Sequence, residues 1–148
     1  MDFDKKKNDS GATSRVLENL LNSHDFRSFE NNNQDNFIEE SFCDYLSSLA
    51  ESKGISKSDM IKNSGIERTY AYQLLRGLRN PTRDKVIQFA IGLRLDLDET
   101  QSLLRTAHHS ALYPRIKRDA AIIFGLTQHL SYTDILILLD RIGEIPLD

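Results

Sequence analysis

The sequence predicts an all-α protein, on three observations. Apolar residues recur at three- and four-residue spacing through the nonpolar stretches, those stretches open on Ser, Thr or Asp and close on Gly, and one amphipathic pattern returns after a shift of 35 residues.

Residues 1–13 are polar and charged with no apolar periodicity, so disorder is expected there. Val16, Leu17, Leu20 and Leu21 then make a short helical stripe, followed by Phe26, Phe29 and an Asn-rich run over 30–36. Residues 1–36 therefore read as an acidic, partly disordered extension with a short helix. A helix is predicted over 37–52, with Ile38, Phe42, Tyr45, Leu46, Leu49 and Ala50 inward and Gly54 as its stop. Cys43 falls in this helix as a small core residue; as the lone cysteine it excludes an intrachain disulfide and suits a reducing compartment.

The stretch from Gly54 to Pro81 carries the most information. Ser56 reads as an N-cap with Asp59 three residues on, Met60 and Ile61 supply the apolar side, and Asn63, Ser64 and Gly65 close a first short helix. Gly65 sits where a sharp turn wants a positive φ, and Ile66 fills the corner. A second helix over about 67–76 turns Ala71, Leu74 and Leu75 inward and leaves Arg68, Thr69, Tyr72, Gln73 and Arg76 outward. Two short helices about a Gly-centred turn are what a helix-turn-helix requires, which makes nucleic-acid binding the leading functional expectation. After Pro81, Thr82 starts a helix carrying Val86, Ile87, Phe89, Ala90 and Ile91 as far as Gly92, and Asp96 with Glu99 boxes the start of another through Leu103 and Leu104.

Residues 108–148 repeat part of this pattern. With the 35-residue shift, Arg83, Asp84, Ile87, Phe89, Leu95, Leu103 and Leu104 meet Arg118, Asp119, Ile122, Phe124, Leu130, Leu138 and Leu139, which suggests a duplicated helical hairpin, although two unrelated amphipathic hairpins also share Leu and Ile at helical spacing. Pro114 suits a first helical position, Ser131 with Asp134 an N-cap pair, and Gly143 with Pro146 a stop. The runs from Ala120 to Phe124 and from Ile135 to Leu139 put apolar side chains on more than one side of each helix. Either the helix over 16–21 or a second copy of the chain is expected to cover them.

The net charge of −3 argues against a general polyanion binder, yet its distribution is uneven. Residues 51–85 hold eight Lys or Arg against four acids, whereas residues 1–50 hold five against ten. Positive charge thus gathers around the two short helices, as a phosphate footprint would.

The segment from about Gly54 to Thr100 resembles the helix-turn-helix of the Cro and phage-repressor (xenobiotic-response-element) family, through GISKSD, GIERTY and R-G-L-R-N-P. The resemblance implies a lambda-repressor-like five-helix domain over 37–107, with residues 108–148 as an added hairpin for dimerisation or partner binding. It implies a second helix lying in the major groove of double-stranded DNA, with base contacts from Arg68, Thr69, Gln73 and Tyr72 and phosphate contacts from Lys57, Tyr70, Arg76, Arg79 and Asn80. It also implies a homodimer, whose two recognition helices meet groove turns about 34 Å apart. Where the family has Ala this chain has Ile61, and where it has a β-branched residue this chain has Ala71, a volume-conserving exchange. Ser64 replaces a customary Leu, and Glu67 stands at the usual Ser or Thr N-cap, a poorer cap expected to cost about 1 kcal/mol.

Other chemistry is not expected. Adjacent His108 and His109 point apart on a helix, His24 and His129 are isolated, and no Gly-rich phosphate loop, nucleophile elbow or paired carboxylate occurs, so neither metal, cofactor nor catalysis is anticipated. The basic cluster from Tyr113 to Arg118 reads as a helix start exposing its charges. No apolar run approaches the ~20 residues of a membrane span and the N-terminus lacks a secretion signal, so a cytoplasmic protein is expected. The alternative reading is a protein-interaction module, antitoxin-like or associated with a toxin, kinase or polymerase subunit, in which the helix-turn-helix serves as scaffold.

Overall fold

The computed structural model describes residues 3–37 and 40–148, and every regular element among them is helical. The chain divides into two units, Met1–Glu39 and Glu40–Asp148. Among the described residues no helix is long and apolar enough to cross a membrane.

In the first unit α1 covers Phe3–Asn22 and α2 covers Phe26–Asn32, followed by a 3₁₀ turn at Gln34–Asn36. The polar residues from Phe3 onward lie in the same helix as the apolar stripe of Val16 to Leu21, with no proline to interrupt it. Asp25 caps α2 by accepting from the Ser28 N–H at 2.9 Å. The Phe29 ring lies 6.0 Å from each of the Phe26 and Phe37 rings. The Asn-rich run is ordered by local bonds, Asn33 Nδ2 donating to the Phe29 carbonyl at 2.9 Å.

The second unit holds α3 (Phe42–Lys53), α4 (Lys57–Ser64), α5 (Arg68–Leu75), α6 (Arg83–Gly92), α7 (Leu97–Thr106), α8 (Lys117–Thr127) and α9 (Tyr132–Arg141). Ser41 caps α3, so that helix starts later than the pattern from residue 37 suggested, and Ile38 lies outside the described residues. Ser56, Thr82 and Ser131 each accept from the backbone N–H three residues on, and Asp96 with Glu99 forms a full capping box. One apolar core runs through all seven helices, from Leu46 on α3 and Met60 on α4 to Leu139 on α9. The central element is α6, buried without interruption from Val86 to Gly92. A Cβ at Gly92 would overlap the Met60 carbonyl and press on Ser64, which is why the two helices can approach so closely. Ser64 is small for the same reason and fully bonded: its hydroxyl donates to the Ile61 carbonyl at 2.7 Å and accepts from the Ile66 N–H at 3.1 Å, and its carbonyl accepts from buried Gln88 at 3.2 Å.

The 35-residue repeat holds down to single hydrogen bonds. Arg83 and Asp119 form a bidentate pair (3.1 and 2.9 Å), and Arg118 and Asp84 form its counterpart (3.0 and 2.9 Å). Arg83 also donates to the carbonyls of Ser110 and Ala111, as Arg118 does to those of Ile145 and Pro146. The N–H of Tyr113 donates to Asp119 and that of Asp148 to Asp84. Positive φ recurs at Arg94 and His129, and again at His108 and Gly143. Two helical hairpins, residues 83–113 and 118–148, thus clasp each other reciprocally, as across a local two-fold axis.

This strapping overrides one expectation from sequence. Pro114 is not a first helical position: α8 begins at Lys117 behind an Ile116 N-cap that makes no side-chain cap bond. The segment before it is tied down instead, Leu112 exchanging two hydrogen bonds with the Gln101 amide (2.7 and 2.8 Å). The cluster over 113–118 is correspondingly less free than a helix start exposing its charges, since Lys117 donates to the Ile142 carbonyl and Arg118 is held by Asp84.

Candidate nucleic-acid interface

The surface built by α4, α5 and the loop after them follows from local rules. Gly65 leaves α4 at φ +73°, Ile66 is buried in the corner, and α5 starts two residues later. Glu67 makes a better cap than its residue type suggests. Its two carboxylate oxygens accept from the Thr69 and Tyr70 N–H groups at 2.9 and 2.8 Å, and those bonds, Tyr70 first, hold its carboxyl below the ordinary range. The longer side chain reaches back over the first turn and satisfies two orphan donors rather than one. A carboxylate there also suits the positive end of the helix dipole.

Ala71 and Leu74 are buried and Leu75 half-buried, leaving the opposite face of α5 outward. Arg68, Thr69, Tyr72, Gln73 and Arg76 come together around an open depression of about 410 Å³, joined by Leu78. The Arg68 guanidinium lies 5.8 Å from the centre of the Tyr72 ring, close enough for the ring face to steady it. Beside this row Tyr70 is flanked by two cations, Arg79 at 6.0 Å and Lys85 of α6 at 5.9 Å. Lys57 opens α4, and Asn80 is exposed in the loop.

Sequence reasoning did not single out Leu78 or Lys85. Leu78 is 69% exposed, an apolar side chain beyond the end of α5 with no periodicity to flag it. Lys85 was counted only in the charge balance, because nothing in the sequence brings α6 to the side of Tyr70.

The charge excess over 51–85 divides into two groups. Lys53 pairs with Glu99 at 3.1 Å and Arg83 with Asp119 at 2.9 Å, so both are committed inside the fold. Among the described residues, the other six, Lys57, Lys62, Arg68, Arg76, Arg79 and Lys85, have no carboxylate within 4.0 Å. The basic side chains on this surface are thus free of internal ion pairs.

Among the described residues no three His, Cys, Asp or Glu side chains converge as metal ligands. His109 meets the Pro81 carbonyl at 2.8 Å.

Compared with protein-family models, with curated proteins and with solved structures, the chain matches none.

Proposed function

We propose that the chain is a sequence-specific, DNA-binding regulator of transcription acting in the cytoplasm, in which α3–α7 are the five helices of a lambda-repressor-like, Cro and phage-repressor-type domain. Its α5 would enter the major groove. The observation that carries this reading is the row of outward hydrogen-bonding side chains on α5, bordered by cations with no carboxylate within 4.0 Å. Arg68 would take a guanine edge bidentately or a phosphate, Thr69 a thymine methyl or base acceptor, and Gln73 an adenine, with Tyr72 beside them. Lys57, Tyr70, Arg76, Arg79 and Asn80 would set register on the backbone.

Selection from a random duplex library, repeated at several salt concentrations, tests it. An enriched half-site is expected. Replacing Arg68 by Ala should cost about 1–3 kcal/mol and blur one position, whereas Arg79→Ala should weaken every duplex alike and reduce the salt dependence. Identical behaviour of the two variants on all duplexes would refute these roles. No enrichment at all would favour the protein-interaction module, for which the exposed Leu78 beside Tyr72 and the net charge of −3 speak.

The partner proposed for the C-terminal hairpin is a second copy of the chain. Phe89 is fully buried, 6.0 Å from the Phe42 ring of α3, while its counterpart Phe124 in the second repeat is 54% exposed. Ile137 on α9 is 50% exposed as well. The first hairpin is covered by α3 and α4 on a face that the second leaves apolar and bare. Sedimentation at micromolar concentration should show a dimer that Phe124→Asp shifts to monomer; a wild-type protein that stays monomeric excludes it.

A further inference from the structure

We propose that Tyr70, Arg79 and Lys85 form one seat for a backbone phosphate, so that α6, and not only α4, α5 and their loop, belongs to the DNA-binding surface. The inference rests on the DNA-binding reading above and adds to it a residue from a third element. Arg79 and Lys85 come from opposite sides of the Pro81 turn, yet their charged groups lie 6.0 and 5.9 Å from the centre of the same Tyr70 ring. Two cations beside one ring, with no carboxylate within 4.0 Å of either, leave the surroundings of Tyr70 electropositive. An anion bound there meets charge that the protein itself does not neutralise. A phosphodiester fits the number of groups: one negative charge, two non-bridging oxygens for two cations, and a phenol as a third donor. Lys85 also donates to the buried Gln88 amide at 3.3 Å, and Gln88 in turn donates to the Ser64 carbonyl at 3.2 Å, so the ammonium is tethered to the end of α4 rather than sweeping freely.

The test is a salt titration of the full-length protein on a duplex carrying its selected site, comparing wild type with Lys85→Met and Lys85→Arg. Removing one phosphate contact should lower the slope of log K against log salt by about 0.9, weaken all duplexes alike and leave base preference unchanged. Arg at the position should restore the slope. Unchanged thermal melting of Lys85→Met keeps the loss from being assigned to α6 packing. If wild type binds with salt dependence but Lys85→Met matches it, or if the loss is not restored by Arg, the seat is refuted and the DNA-binding reading stands. If wild type itself shows no salt-dependent duplex binding, both fall together.

Discussion

Replacing Arg83 by Ala is expected to be the most damaging single change, costing about 3–5 kcal/mol, because it removes the ion-pair partner of the buried Asp119 carboxylate and leaves it with the Tyr113 N–H and the more distant charge of Arg118. The Asp119 side chain is 3% exposed, and Arg83 provides two of its hydrogen bonds while also tying down the Ser110 and Ala111 carbonyls. The counterpart pair is wetter, with Arg118 and Asp84 side chains 17% and 20% exposed, so Arg118→Ala should cost less, about 1–2 kcal/mol. Urea unfolding of the two variants, side by side, measures the difference. Equal costs would mean that burial does not distinguish the two clasps.

The same site sets an acid limit. Burial alone would push the Asp119 carboxyl up, but hydrogen bonds from Arg83 and the Tyr113 N–H and the charges of Arg83 and Arg118 outweigh it, holding the carboxyl below its ordinary range. A carboxyl depressed in the folded state stabilises the protein above its unfolded pKa and loses that contribution as pH falls through its folded value. Wild-type stability should therefore decline below about pH 4. In Arg83→Ala, burial is left with less opposition, so the folded carboxyl moves up toward its unfolded value and the acid decline should be shallower than in the wild type.

Gly65→Ala should be the second large effect, about 2–4 kcal/mol. A methyl group there meets two separate penalties. The backbone sits at φ +73°, where an L-residue pays about 1 kcal/mol, and the new Cβ would overlap the Tyr132 ring, an overpacking cost of about 1–3 kcal/mol. The pair Gly65→Ala with Tyr132→Ala separates them: the double variant should lose the steric part and keep the backbone part, so the coupling measured by a double-mutant cycle is expected to be favourable. Additive costs would show that Tyr132 gives way freely. Because Tyr132 opens α9, this cycle also reports whether the second repeat supports the turn between α4 and α5.

Much of the fold is legible in the amino-acid sequence. Ser56, Thr82, Asp96 and Ser131 act on backbone groups within three residues of themselves, so their caps needed only neighbouring letters. Gly54, Gly65 and Gly143 take positive φ as expected of helix ends, and Ala71 and Leu74 turn inward as their spacing requires. Those are properties of one helix at a time. Glu67 shows the limit of residue-type rules even at short range: ranked as a poor cap, it reaches two N–H groups because its longer side chain can fold back.

The amino-acid sequence by itself determined the all-helical character, the caps and stops, the inward and outward faces, and the existence of a 35-residue echo, since each depends on periodicity or on groups a few residues apart. Only the tertiary structure decided what the echo is for: Arg83 and Asp84 sit side by side in the chain, yet each binds the other repeat's partner, because charges so far apart in sequence are matched by packing and not by spacing. That pairing also withdrew Arg83 from the free basic surface, while Lys85, two residues on, was brought to Tyr70 instead. Net charge counts both alike, and three-dimensional neighbours separate them.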